Sequence, residues 1–167
     1  MVQAPATALR TRCRYQDPSS TQTLREGLAE YHAANPDLFD ADEIEAKLGA
    51  LGPFFAAHDS CHVLFGLDTS LGDETLADTW TLFGTDAKFS ELLSYFRSDA
   101  QKKFFREFLA EIGYWKIITQ SIRSIPRALK AIWMSRKMKR KWALHEWETK
   151  LDIPLNELRS EYGIRLV

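Results

Sequence analysis

PFFAAHDSCHVLFGLDTSLGDETLADTWTLFG, residues 53–84, decides the reading of this chain. Pro53 suits the first turn of a helix and Gly66 the residue that ends one. Between them Phe54, Phe55, Ala56, Ala57, Val63, Leu64 and Phe65 cover nearly every side of a helical wheel. A helix that is apolar all round is buried. Ser70 and Asp73 form a capping pair for a second helix over about 71–84. The short loop Leu67–Gly72 folds the two side by side. Yet the first helix carries His58, Asp59 and His62 in its middle. A buried carboxylate is costly unless it is paired or binds a metal. At about 100° per residue the three side chains share one arc of about 100°. Two histidines at i and i+4 can hold one cation, as in helical zinc sites. Asp59 reads as a third ligand or as the group that orients a histidine. A fourth ligand comes from a neighbouring element, and Glu74 is the natural one, with Asp68 and Asp73 competing. Simpler roles exist too: capping for Asp73, and a dipole-favoured surface position for Glu74. Cys61 reads as a small packing residue.

Outward from this pair the pattern stays helical. Ser19 or Ser20 caps a helix over about 21–34, with Leu24, Leu28 and Tyr31 on one face, and Asn35-Pro36 breaks it. Asp40 or Asp42 opens another to about 50. Residues 87–120 carry Phe89, Leu92, Leu93, Phe96, Phe104, Phe105, Phe108, Leu109 and Ile112 at helical spacing. Helix continues beyond them, with a kink expected at Pro126. A last helix follows Pro154 to about Tyr162, and Gly163 ends it. Few segments alternate with period two. The expectation is an all-α, single-domain bundle of about six to eight helices over residues 19–167, behind a flexible arm, residues 1–18.

Composition sets the frame. The chain has 167 residues, 45% hydrophobic and 27% charged, which suits one globular domain and excludes collagen, low-complexity and disordered classes. Two cysteines, Cys13 and Cys61, exclude a disulfide framework and a cysteine-rich zinc module. The longest run of apolar residues with Gly and Pro, Leu48–Ala57, falls well short of the roughly 20 residues a spanning helix needs. The first 16 residues hold Arg10, Arg12 and Arg14 but no apolar signal region, although a very short mitochondrial-type presequence fits them. A reducing, cytosol-facing compartment is expected.

Charge is uneven. The net charge is −1, yet residues 121–142 carry Arg123, Arg127, Lys130, Arg136, Lys137, Lys139, Arg140 and Lys141 and no acid. Such a block suggests an anionic partner. Ile122, Ile125, Leu129, Ile132 and Trp133 follow helical spacing, so the segment reads either as an interfacial membrane helix or as a core-facing helix with a basic back. No nucleic-acid-binding motif accompanies it.

His58-Asp59-x-x-His62 followed after eleven residues by Glu74 resembles the HDxxH-x11-E motif of the Coq-four family of ubiquinone (coenzyme Q) biosynthesis proteins. The surrounding HDSCHVLFGLDTSLGDETLADTWTLFG is similar to that family's central two-helix segment. The tail WETKLDIPLNELRSEYGI is similar to its C-terminal end, through Leu155, Leu158, Arg159 and Gly163-Ile164. The resemblance spans about residues 20–165. It implies that His58, Asp59, His62 and Glu74 bind a divalent metal, usually zinc, with iron as the other candidate. It implies a prenylated quinone precursor, a membrane surface and other quinone-biosynthesis proteins as partners, and admits a homo-oligomer. It also implies a place peripheral to a bacterial inner membrane, on the cytoplasmic side, or on the matrix face in a mitochondrion. The implied activity is decarboxylase-type: the ring carboxylate of a prenylated 4-hydroxybenzoate-type precursor is replaced by a hydroxyl. Members are also described as scaffolds for the other enzymes.

Under that reading Arg123, Arg127 and Lys130 contact lipid headgroups. Phe54, Phe55, Phe65, Trp80, Phe83 and the Phe89–Phe108 stretch are candidates to line an isoprenoid groove, although each alone reads more simply as core. Two other functions compete. One is a non-catalytic prenyl-lipid-binding scaffold with a structural metal. The other is a metal phosphohydrolase, which needs an upstream histidine and a downstream aspartate; His32 and Asp78 are the loose candidates. Cys61 sits in an apolar helix where its thiolate is disfavoured. No glycine-rich phosphate loop is present.

Overall fold

Thr23 begins the first long helix, α1 (Leu24–Ala34). Its hydroxyl accepts from Glu26 N–H, and the Glu26 carboxylate accepts from Thr23 N–H, a reciprocal cap. This start is later than the sequence suggests. Ser20 and Gln22 give their carbonyls to Asn156 and Leu155 N–H, and Leu24 N–H donates to Ile153. The chain therefore stays extended against the C-terminal segment until Thr23, and that tertiary pairing outweighs the cap that Ser19 or Ser20 offers.

The computed structural model describes residues 12–36, 52–88 and 113–167. The helix expected to open at Asp40 or Asp42 and the Phe89–Phe108 stretch lie outside the described residues, as do residues 1–11 of the expected arm. The structure is all-α. After α1 come α2 (Gly52–Phe65), α3 (Leu71–Gly84), α4 (Tyr114–Ser135) and α5 (Leu155–Tyr162), with short 3-10 turns at Arg14–Gln16 and Leu144–Lys150. No strand occurs among the described residues. From Arg12 onward the expected arm packs on the body, and Tyr15 is buried.

One core joins these helices. Leu24, Leu28 and Tyr31 of α1 meet Val63, Leu64 and Phe65 of α2, Leu76, Ala77 and Trp80 of α3, and Leu155 and Leu158 of α5. Phe65 and Trp80 stack with centroids 4.3 Å apart, so these two candidates for a lipid groove are core instead. Gly27 lets α1 approach α2: a Cβ there would come within 2.5 Å of Val63. Arg159 of α5 is buried beneath them. Its guanidinium donates to the carbonyls of Val63, Leu64, Tyr15 and Asp17 at 2.6–3.0 Å. It thereby caps the C-terminus of α2, where the helix dipole favours a cation. Burial pulls Arg159 down to about 10, which still leaves it charged at neutral pH.

α4 packs along α3, the most extensive helix pairing in the described fold. It runs through Pro126 as one helix. Ser124, Ala131 and Ser135 face inward, while Ile122, Ile125, Leu129 and Trp133 are exposed. The core-facing reading of the apolar stripe is therefore overturned: small residues make the close contact, and the large ones point out.

Candidate metal centre

Gly66 sets the geometry of the site. Its φ of 69° is open to glycine and costly for other residues. There the chain closes α2 with two backbone bonds, Leu67 N–H to His62 C=O and Gly66 N–H to Val63 C=O, the Schellman arrangement. The turn carries the Asp68 carbonyl back over α2, where it lies 3.0 Å from His62 Nδ1. Ser70 caps α3 as the sequence suggests, accepting from Asp73 N–H. Asp73 accepts from Asp68 N–H through Oδ2 (3.0 Å) and pairs with Arg127 of α4 through Oδ1 (2.7 Å). A chain of contacts thus runs from Arg127 through Asp73 and the Asp68 peptide to His62. Arg127 thereby holds the loop that orients His62.

Three donors meet between α2 and α3. His62 Nε2 lies 3.5 Å and His58 Nε2 3.9 Å from the same Glu74 oxygen, Oε2. Ligand atoms of all three residues fall within 4.8 Å of one another. A carbonyl only accepts, so the Asp68 contact places the proton of a neutral His62 on Nδ1 and leaves Nε2 a bare lone pair. That Nε2 is buried without a hydrogen-bond partner. His58 Nδ1 is held 3.3 Å from the Thr81 hydroxyl, which turns its Nε2 to the same point. The His62 lone pair facing a carboxylate is repelled unless a cation or a proton lies between them. The spacing fits a cation. Ligands about 2.1 Å from a shared tetrahedral ion lie about 3.4 Å apart, and 3.5 and 3.9 Å exceed the span of a charge-assisted hydrogen bond. The residues present therefore fit a divalent metal held by two imidazoles and one carboxylate.

The electrostatics agree. Burial alone would raise the Glu74 carboxyl, but the two histidines outweigh it and pull it down to about 2. Burial would lower His58, but Glu74, Asp78 and Asp59 outweigh it and raise it above 6.5. Burial raises Asp78, one turn beyond Glu74 on α3, and His58 offsets part of that rise. These shifts set the pH response of the metal-free chain. The Glu74 contribution is complete above the ordinary 4.5 and is lost as pH falls toward 2. The His58 contribution is complete below 6.5 and is lost as pH rises through its raised value. Melting temperature in chelator should thus peak between those limits. With zinc the trend reverses above 6.5, because a metal needs neutral imidazoles. Thermal melts across pH, with and without chelator, check this.

Of the four anticipated ligands, His58, His62 and Glu74 converge and Asp59 does not join them. Asp59 Oδ2 contacts His32 Nε2 at 3.0 Å, which ties α2 to α1. Asp68 and Asp73 are used by the loop, which leaves Glu74 as the acid that reaches the histidines. The phosphohydrolase set of His32, His58, Asp59 and Asp78 forms no common group of donors among the described residues. Cys61 is buried, and burial pushes its thiol up to about 12, so it is inert as a nucleophile. The sequence reading missed Thr81. Its signal was available, since Glu74, Asp78 and Thr81 lie at i, i+4 and i+7 on one face of α3. A cavity of about 450 Å³ lies behind the Asp68 loop, lined by Arg12, Tyr15, Asn35, Asp68, Asp73 and Arg127, and none of the three donors borders it. No family model, curated protein or solved structure matches the chain.

Proposed function

We propose that this protein is a metal-dependent enzyme that removes the ring carboxylate of a prenylated 4-hydroxybenzoate-type precursor and leaves a hydroxyl in its place, a step of ubiquinone biosynthesis. The observation that carries the metal reading is the buried, unpartnered Nε2 of His62 aimed with His58 at Glu74. The substrate rests on the resemblance of the HDxxH-x11-E motif. Three protein donors leave positions open for a substrate oxygen, which favours catalysis over a closed structural site. Glu74 is 41% exposed, so an approach from solvent exists.

The reaction balances as a two-electron oxidation. The ring carbon loses CO2 and gains a hydroxyl from water, while dioxygen takes up the two electrons and leaves as hydrogen peroxide, so that acid, dioxygen and water give phenol, CO2 and peroxide. A bound divalent ion supplies charge stabilisation for the carboxylate, and with iron also dioxygen chemistry, for which two histidines and one carboxylate are a known donor set. His58 and His62 hold that ion through Nε2, with Thr81 and the Asp68 peptide fixing their rings. The same reading assigns a prenylated precursor, a membrane surface and other quinone-biosynthesis proteins as partners, with zinc or iron as cofactor.

The test is incubation of the metal-loaded chain with a prenylated 4-hydroxybenzoate under dioxygen in labelled water, followed by mass spectrometry. Replacement of the carboxyl by a hydroxyl, abolished in a folded Glu74→Gln variant, is the expected result. No turnover with zinc or iron would sink the catalytic reading in favour of the non-catalytic scaffold. In that case Glu74→Gln should instead lower the melting temperature of the metal-loaded chain.

A further inference from the structure

Arg159 carries a buried charge with no carboxylate bonded to it. The residue is 4% exposed, and its guanidinium meets only carbonyls, those of Tyr15, Asp17, Val63 and Leu64. Asp17, the acid that acts on it, is exposed and bonds Ser19 through its carboxylate. Buried charges are normally paired. Arg159 borders a cavity of about 380 Å³ at the C-terminal end of α5, together with Lys137, Lys139, Ser160, Gly163 and Arg165. Its described lining holds four cations and no acid, and none of the three metal donors borders it. Gly163 lets the link after α4 close on α5. Its φ is 70°, and a Cβ there would lie 3.0 Å from Lys139 N. At that approach Lys139 N–H donates to Tyr162 C=O at 2.9 Å, and Lys139 Nζ donates to Ser160 C=O at 2.8 Å. A helix C-terminus repels anions, but these two carbonyls are already bonded, and Arg159 C=O accepts from Gly163 and Ile164 N–H. The neighbouring acid Glu161 is paired with Arg140. Lys137 rests on the Trp133 ring at 3.3 Å, and Arg165 is exposed, so no acid among the described residues offsets either charge.

We propose that this cavity binds the phosphate group of a small soluble phosphate ester, with Lys137, Lys139 and Arg165 as direct donors and the Arg159 charge behind them. Ammonium and guanidinium groups form their strongest hydrogen bonds with ionised oxygens. Four cations without an acid favour an anion of more than one charge, which a phosphate monoester is at neutral pH and a carboxylate is not. A concave lining of one sign also concentrates such an anion from solution. The volume falls within the range of small-molecule sites, roughly 300–1,000 Å³, so it admits part of the ester as well as the phosphate. The bound phosphate supplies the counter-charge that Arg159 lacks. Through the contacts of Arg159 with Val63 and Leu64, it also steadies the end of α2 just beyond His62. The site stands on its own residues and does not depend on the metal chemistry.

Calorimetric titration of the full chain with glycerol 3-phosphate tests it, in chelator so that no metal takes the phosphate. The wild type should bind one equivalent, glycerol and acetate should give no heat of binding, and salt should weaken the interaction. Lys137→Gln with Arg165→Gln should weaken binding about a hundredfold, at roughly tenfold per charge-assisted contact. Both positions are exposed, Arg159 stays in place, and circular dichroism checks the fold. Arg123→Gln with Lys130→Gln removes the same charge from the exposed face of α4 and should leave the affinity within about twofold, since neither residue borders the cavity. Absence of binding by the wild type would overturn the proposal, as would equal binding by the Lys137→Gln/Arg165→Gln variant. Equal weakening by the two double variants would replace the site with a diffuse basic field and overturn it too. Binding to vesicles of phosphatidylcholine with phosphatidylglycerol, without binding of glycerol 3-phosphate, would make a lipid headgroup the source and overturn the soluble ester.

Discussion

His58→Ala combined with His62→Ala should yield a folded chain that holds no metal, while the wild type retains one zinc or iron ion per chain. The expectation follows from donor geometry. Losing even an outer-shell group costs about 10–100-fold in metal affinity, and this pair removes two of the three direct donors. The fold should survive because removing the unpartnered His62 Nε2 from the interior offsets the loss of its Nδ1 bond to the Asp68 carbonyl and of the Tyr31 ring contact at 5.2 Å. Elemental mass spectrometry on gently purified protein reads the metal directly. A thermal shift reads it independently. Metal at a thousandfold excess over its dissociation constant contributes about 4 kcal/mol, or roughly 10 °C in a domain of this size. Excess zinc should therefore raise the wild-type melting temperature by about that amount and leave the double variant unmoved. A wild type that binds nothing after reconstitution would remove the metal centre altogether.

Arg159→Ala should be the most damaging single change to stability. Four carbonyls, from Tyr15, Asp17, Val63 and Leu64, accept from one guanidinium that is almost wholly buried. Hydrogen bonds to a charged group contribute about 1.5–3 kcal/mol each, and stranding buried acceptors adds a desolvation cost. The contributions are not additive, so a loss of about 4–5 kcal/mol is expected, at the upper end for a point substitution. That corresponds to about 10–15 °C in melting temperature. Arg159→Lys should recover only part of it, since an ammonium cannot span four acceptors in the plane of a guanidinium. A melting temperature within a few degrees of wild type would show that water replaces the guanidinium without loss. Because Val63 and Leu64 directly follow His62, the same substitution should loosen the metal centre.

Much of this architecture was legible in local sequence. Ser70 as the cap of α3, Gly66 and Gly163 as helix ends, Asn35-Pro36 as a break and Pro154 as the entry to α5 all act within one or two turns of themselves. Short-range rules of this kind survive folding because the hydrogen bonds they satisfy are local. Helical periodicity likewise placed His58 and His62 on one arc and offered Glu74 as their partner across the turn.

Tertiary contacts decided the rest. Asp59 and Glu74 are both acids within reach of the histidines by sequence. Asp59 pairs with His32 only because Gly27 and Val63 bring α1 against α2. Arg127 reads as one more cation in a basic block until α4 lies along α3 and meets Asp73. The stripe on α4 is amphipathic in either orientation, and periodicity carries no information on which face turns inward. Packing chose, because the close approach to α3 admits Ser124, Ala131 and Ser135 and leaves Leu129 and Trp133 to the outside. The sequence by itself determined the ends of α2, α3 and α5 and the side chains that can act as donors. Only the folded chain decided which donors converge and which face of α4 stays exposed, because both depend on contacts between segments far apart in sequence.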